Sequence, residues 1–258
     1  MKMISENIKK INDDVKHSAA KSGRDYRRIT ILAASKTRNA DEIIKACESG
    51  ITVFGENYVQ EFLGKYDYFK NIAEKNLTER DSNNITSACI FKNLKWHLIG
   101  KLQKNKVKYI AKKISMIHSV DSFELAKLID KLSAADNLSE NKVQILIEIN
   151  IADESTKSGI KLDDAKGLIY NLNSLNNIEL KGFMTMPPYA ENPEQNRIYF
   201  KALKDFLDSA NQKNIYKNEL TELSMGTSND FTVAIEEGAT IIRLGTIIFG
   251  ERFYANKL

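Results

Sequence analysis

Cysteine is nearly missing from this chain: two in 258 residues, Cys47 and Cys89, with no C-x-x-C spacing. That excludes a disulfide framework or a thiolate zinc site as the organising feature, and reduced, inert thiols in a cytoplasmic protein are the expectation. Three prolines and twelve glycines leave no low-complexity linker. Long hydrophobic runs are lacking too, since nothing approaches the roughly 18 apolar residues of a spanning helix. The opening Met1-Lys2-Met3-Ile4-Ser5-Glu6-Asn7 has no apolar core of a secretory signal. Charge of one sign is also scarce. Lys and Arg number 38 against 34 Asp and Glu, and a net +4 is too mild to predict a nucleic-acid or membrane partner.

What is there alternates. Ile4, Ile8, Ile11 and Val15 recur at helical spacing and predict a first helix over 3–21. Eight apolar, strand-like runs follow, at 30–36, 51–57, 95–100, 115–120, 143–150, 180–186, 222–225 and 241–246. Between them lie helical segments, including 40–49, 101–113, 122–135, 193–212 and 230–237. Residues 71–93 read as the tail of the second barrel helix plus a polar surface insertion. Strict β–α alternation implies right-handed crossovers and a parallel sheet. Eight units in this length predict one α/β domain over 1–258, a (β/α)8 TIM barrel with an extra N-terminal helix. A doubly wound sheet fits less well, and the first turn, Ser35-Lys36-Thr37-Arg38, is no dinucleotide-binding G-x-G-x-x-G.

In a barrel, chemistry sits where the strands end at their carboxyl side. Lys36 ends the first run, with Asn39 as N-cap of the helix that follows. The seventh run ends in Leu223-Ser-Met-Gly-Thr-Ser-Asn-Asp230 and the eighth in Gly245-Thr246. Small hydroxyl and glycine residues let backbone N–H groups approach an anion, and these two loops are where barrels most often hold phosphate. Arg243 lies two residues before Gly245 and so faces the same way, into the barrel mouth. It either pairs internally, for example with Glu148, or donates to a ligand. A strand-end amine, a phosphate cradle and an inward guanidinium together describe a pocket for pyridoxal 5′-phosphate. There a lysine forms a Schiff base with the aldehyde and a charged group faces the ring nitrogen. An arginine can only donate.

Six segments carry a resemblance. They are Ala34-Ser-Lys-Thr37, Phe54-Gly-Glu-Asn-Tyr-Val-Gln-Glu61, Trp96-His-Leu-Ile-Gly-Lys-Leu-Gln-Lys-Asn-Lys106, Gly182-Phe-Met-Thr-Met186, Leu223 to Asp230, and Arg243-Leu-Gly-Thr-Ile-Ile-Phe-Gly250. In this order, from about residue 28 to 254, the chain resembles the pyridoxal phosphate homeostasis protein family. The resemblance implies an alanine-racemase-type barrel without the C-terminal domain. It implies pyridoxal 5′-phosphate on Lys36, Ser228, Gly245 and Thr246 at the phosphate, and Gly226 and Thr227 shaping that loop. Arg243 would face the ring nitrogen, Asn57 would lie beside the cofactor, and Ser224 would join the pocket. It further implies a monomer in vitamin B6 homeostasis without enzymatic turnover, with pyridoxal-phosphate-dependent apoenzymes as candidate recipients.

The alternative is a racemase or decarboxylase using the same pocket. Two-base racemisation needs a second acid/base opposite the lysine, and neither Tyr58 nor Tyr189 is placed there by the sequence. A phosphate-binding isomerase would leave Lys36 unmodified. A pure interaction module would use the lysines at 101, 104, 106, 108, 112 and 113, which read better as a solvated helix face. His97 and His118 read as barrel-lining residues at different depths; no third ligand is spaced to join them at a metal. The polar loop 152–161 is placed to cover the pocket or to lie exposed.

Overall fold

The computed structural model describes residues 2–78, 93–134, 142–154 and 156–251. Eight parallel strands close into a barrel in sequence order. They are β1 (Thr30–Ala34), β2 (Val53–Glu56), β3 (Lys95–Leu98), β4 (Met116–Val120), β5 (Val143–Ile149), β6 (Ile178–Thr185), β7 (Glu222–Ser224) and β8 (Ile241–Leu244). β1 pairs with both β2 and β8, which completes the ring.

The helices are α1 (Lys2–Lys21), α2 (Ala40–Glu48), α3 (Val59–Thr78), α4 (Val107–Ile110), α5 (Phe123–Ser133), α6 (Leu162–Leu172), α7 (Arg197–Gln212), α8 (Phe231–Glu236) and α9 (Thr246–Phe249). α2 starts where its cap predicts. The Asn39 side chain accepts from Glu42 N, and Glu42 reaches back to the Asn39 backbone, a complete capping box. The segment after β3 departs from expectation. Instead of a helix over 101–113 it holds a 3-10 turn, Lys104–Lys106, and the single turn α4. The buried positions Leu102, Val107, Ile110, Ala111 and Ile114 explain this, because the four-residue gap between Leu102 and Val107 breaks the helical stripe. Cys89 and most of the 71–93 insertion lie outside the described residues; the 71–78 part continues α3.

Two hydrophobic layers result. Leu32, Val53, Met116, Leu146, Met184 and Ile241 fill the barrel interior. The larger layer lies between strands and helices, where Ala33, Phe54, Trp96 and Ile117 turn outward. Trp96 is ringed there by Phe54, Phe62 and Phe69 at 5.7, 5.8 and 6.2 Å between centroids. β1 is thus covered on both faces, as its unbroken apolar run predicts. α1 buries Ile4, Ile8, Ile11, Val15 and Ala19. It is fastened near the end of the chain by Asn7 Nδ2, which donates to Ile248 O at 3.0 Å. Pairing of β5 and β6 shifts register after Ile145, where β6 has Gly182 at φ +154°. A Cβ on Gly182 would fall 1.9 Å from Glu222 O on β7, so no side chain fits. Burial pushes the Cys47 thiol up to about 12, which keeps it a poor thiolate at neutral pH.

Candidate functional site

β1 ends at Ala34, two residues short of the apolar run's end, and Ser35 to Thr37 turn towards α2. Lys36 is half-buried and lies in the turn two residues beyond Ala34, at the carboxyl-terminal mouth of the barrel. Gly245, just past β8, abuts this place: a Cβ there would lie 3.6 Å from both Ala34 Cβ and Ala34 O. Arg38 extends the contact by donating to Gly250 O at 2.6 Å, its guanidinium 5.4 Å from the Phe249 ring centroid. The turn that carries the lysine and the loop after β8 are therefore neighbours.

The loop after β7 reaches the same place. Gly226 has φ +90°, and a Cβ on it would fall 2.6 Å from Ala234 Cβ, so only glycine lets this loop lie against α8. Thr227 N and Oγ1 both donate to Asp230 Oδ1, at 2.7 and 3.0 Å, which spends Thr227 on the loop's own shape. Ser228 Oγ accepts from Gly245 N at 3.4 Å, a long bond joining the two loops. Thr246, the first residue of α9, is exposed beside Gly245.

Below the mouth lies a buried polar layer. Arg243 Nη1 donates to Ser224 O and Ser224 Oγ, both at 2.7 Å, and Nη2 donates to Thr185 O at 2.8 Å. Three of its five N–H donors are thus used by the protein. Burial lowers its pKa to about 10, still cationic at neutral pH. Glu148 does not bond it; that carboxyl accepts from Ser158 Oγ at 2.6 Å, and burial raises its pKa. Ser158 belongs to the loop after β5, which folds back so that Ile160 bridges to Ile149. The structure places Ser224 fully buried, between Arg243 and His118 Nδ1, which lies 2.9 Å from Ser224 Oγ. His118 Nε2 in turn lies 2.9 Å from His97 Nδ1. The two histidines line the barrel, but their rings meet, with centroids 5.0 Å apart. His97 is in register with Met116, and the stagger between β3 and β4 lets it reach the next inward residue, His118.

Both imidazoles are held neutral. Burial lowers His97 to about 3, and burial, then the charge that His97 and Arg243 would present, lowers His118 well below 6.5. For groups depressed in the fold, stability is complete above pH 6.5 and is lost as pH falls towards 3. Glu56 and Glu148, with raised pKa values, act in the opposite sense. We therefore expect the drop in urea stability from pH 7 to pH 5 to shrink by about 2 kcal/mol in His97→Gln. An unchanged pH dependence would show that His97 titrates normally.

Asn57 follows β2, two residues beyond the Gly55 that pairs with Ala34. Its backbone is packed by Gly100, where a Cβ would fall 2.4 Å from Asn57 O. Its Oδ1 is buried with no hydrogen-bond partner, an acceptor that a bound donor would satisfy. This orphaned oxygen, the two remaining Arg243 donors and the small-residue cradle fit an aromatic ring bearing a phosphate.

Sequence reasoning missed one cluster beside Lys36, formed by Ser35, Glu56, Glu61 and Lys65. Ser35 Oγ donates to Glu56 Oε1 at 2.6 Å, and Lys65 Nζ lies 2.7 Å from Glu56 Oε1. The available signal was Glu56 itself, a charge ending the apolar run Val53-Phe-Gly.

The alanine racemase N-terminal domain model matches residues 8–253. A pyridoxal phosphate homeostasis protein of Aquifex aeolicus (strain VF5) is 39% identical over 249 residues, covering 96% of this chain and 98% of the relative. The protein of that name from Escherichia coli (strain K12) is 34% identical over 257 residues, covering 100% of both chains. Among solved structures, PipY of Synechococcus elongatus PCC7942 with PLP bound has a TM-score of 0.72 at 28% identity, covering 92% of this chain and 100% of that one. On this likeness, which runs through the lysine turn and both cradle loops, the chain belongs to the pyridoxal phosphate homeostasis proteins, a family built on the alanine racemase N-terminal barrel.

Proposed function

We propose that this chain binds pyridoxal 5′-phosphate at the carboxyl end of its barrel and serves intracellular vitamin B6 homeostasis. One observation carries the reading: Lys36, the Ser228–Gly245 cradle and Arg243 converge from β1, β7 and β8 on one mouth. The PLP-bound PipY supports the same cofactor here. When bound, the cofactor supplies an electrophilic aldehyde, which Lys36 Nζ holds covalently as a Schiff base. Ser228, Gly245 and Thr246 hold the phosphate, and Gly226 and Thr227 shape their loop. Arg243 faces the ring nitrogen as a pure donor, so that nitrogen carries no proton and the ring withdraws electrons weakly. Asn57 offers Oδ1 to the ring's edge, and Ser224 acts one layer down by orienting Arg243.

The role is carriage, without turnover. Among the described residues Lys36 is the single acid/base group assigned to the pocket, and two-base chemistry on an amino acid needs another on the opposite face. The whole chain acts as one cytoplasmic, monomeric domain, with pyridoxal-phosphate-dependent apoenzymes as recipients. Among the described residues no helix is long and apolar enough to cross a membrane. An absorbance spectrum of the purified protein before and after borohydride, with the modified peptide mapped, tests the binding. Reduction that leaves no phosphopyridoxyl group on the Lys36 peptide overturns it.

A further inference from the structure

The cluster beside Lys36 has a geometry that its bonds alone do not require. Glu61 and Lys65 are one turn apart on α3, and each reaches the backbone of a different neighbour of Lys36. Lys65 Nζ donates to Ser35 O at 2.6 Å, to Glu56 Oε1 at 2.7 Å and to Glu61 Oε1 at 2.7 Å. An ammonium has three N–H donors, so Lys65 is saturated by protein acceptors. Glu61 Oε1 also accepts from Thr37 N, on the far side of Lys36. Ser35 is held a second way, through its hydroxyl on buried Glu56. Thr37 has φ +67°, a region that a β-branched residue rarely adopts and that persists only where surroundings impose it. The peptides before and after Lys36 are thus tied to one ion cluster.

We propose that Glu61 and Lys65 are positioning residues for Lys36, clamping its backbone so that Nζ meets an aldehyde carbon above the phosphate cradle. The inference rests on the proposed covalent role of Lys36. In that step the neutral amine adds through its lone pair to the carbonyl carbon and a C=N bond forms. The carbonyl oxygen leaves as water with both amine protons, and nothing is oxidised. The clamp contributes orientation, because an amine on a free turn must find its geometry at each encounter, whereas a fixed one does not. Glu61 suits a test better than Lys65. Its side chain is a quarter exposed, whereas removing Lys65 strands Glu56 as a fully buried carboxylate.

The test uses the full-length protein freed of cofactor, in wild-type form and as Glu61→Ala, Glu61→Gln and Lys36→Ala. Covalent capture of pyridoxal 5′-phosphate is followed by absorbance. Non-covalent affinity is measured with pyridoxine 5′-phosphate, which has an alcohol where the aldehyde would be. Misplacing the amine should slow capture by Glu61→Ala about tenfold or more, with pyridoxine 5′-phosphate affinity within about twofold of wild type. Glu61→Gln keeps an oxygen for Thr37 N and should stay within about threefold of the wild-type rate. Capture by Glu61→Ala at the wild-type rate overturns the clamp, as does a matching loss of analogue affinity, which would mean that the pocket has collapsed. Capture by Lys36→Ala at the wild-type rate overturns the reading of Lys36 itself, and the clamp with it.

Discussion

Lys36→Ala should leave no borohydride-stable adduct on the peptide that carries residue 36, and it should do so without unfolding the protein. The loss at this position is complete because a covalent link to an aldehyde needs an amine, and alanine supplies none. The fold should tolerate the change because Lys36 is only half-buried and follows the strand. Stability should move by about 1 kcal/mol or less, as for most substitutions outside the core. The cradle is built from β7 and β8 and does not pass through the Lys36 side chain. Pyridoxine 5′-phosphate should therefore still bind the variant. An adduct that persists in Lys36→Ala at wild-type yield would move the reactive amine elsewhere.

Arg243→Leu should fail differently. Here the fold suffers, because Ser224 O, Ser224 Oγ and Thr185 O all lose a charged donor inside the barrel. Two effects compete. Removing a buried cation relieves its desolvation penalty, and no carboxylate bonds it directly to make that relief costly. Against this, buried acceptors left unpaired cost about 1–3 kcal/mol each. Ser224 Oγ keeps His118 as a partner, but with two carbonyls losing the donor the second effect wins, and we expect a net loss of about 2–4 kcal/mol by urea denaturation. Lys36 remains, so borohydride should still trap an adduct. Affinity for pyridoxine 5′-phosphate should fall about 10- to 100-fold, the worth of one charge-assisted hydrogen bond. An affinity within twofold of wild type would remove Arg243 from the ring nitrogen.

Much of this was readable from residues alone. The barrel follows from strict alternation, and the mouth from a lysine, a Gly-Thr-Ser loop and a Gly-Thr pair, each directly after an apolar run. Such features are local and need no partner to be recognised. The polar layer was not readable. Whether His97 touches His118, or Ser224 serves the pocket or the arginine, depends on strand stagger, which the spacing along one strand does not encode. The Lys36 clamp was hidden for the same reason, since it joins residues 35, 37, 56, 61 and 65 from three elements. Strand ends also came out shorter than their apolar runs, because Ser35 and Lys36 turn away while remaining buried or half-buried.

The line from Arg243 through Ser224 and His118 to His97 has a direction. A guanidinium only donates, so Ser224 Oγ must accept from it. That leaves the serine's own proton for His118 Nδ1; the opposite choice would strand a buried hydroxyl proton, at a cost of about 1–3 kcal/mol. His118 must then carry its hydrogen on Nε2 and hand it to His97 Nδ1. Every rotor and tautomer in the layer is thus set from one end by a group that cannot reverse its role. The barrel floor beneath the pocket is a one-way file of protons, and a proton added at either ring would break the file.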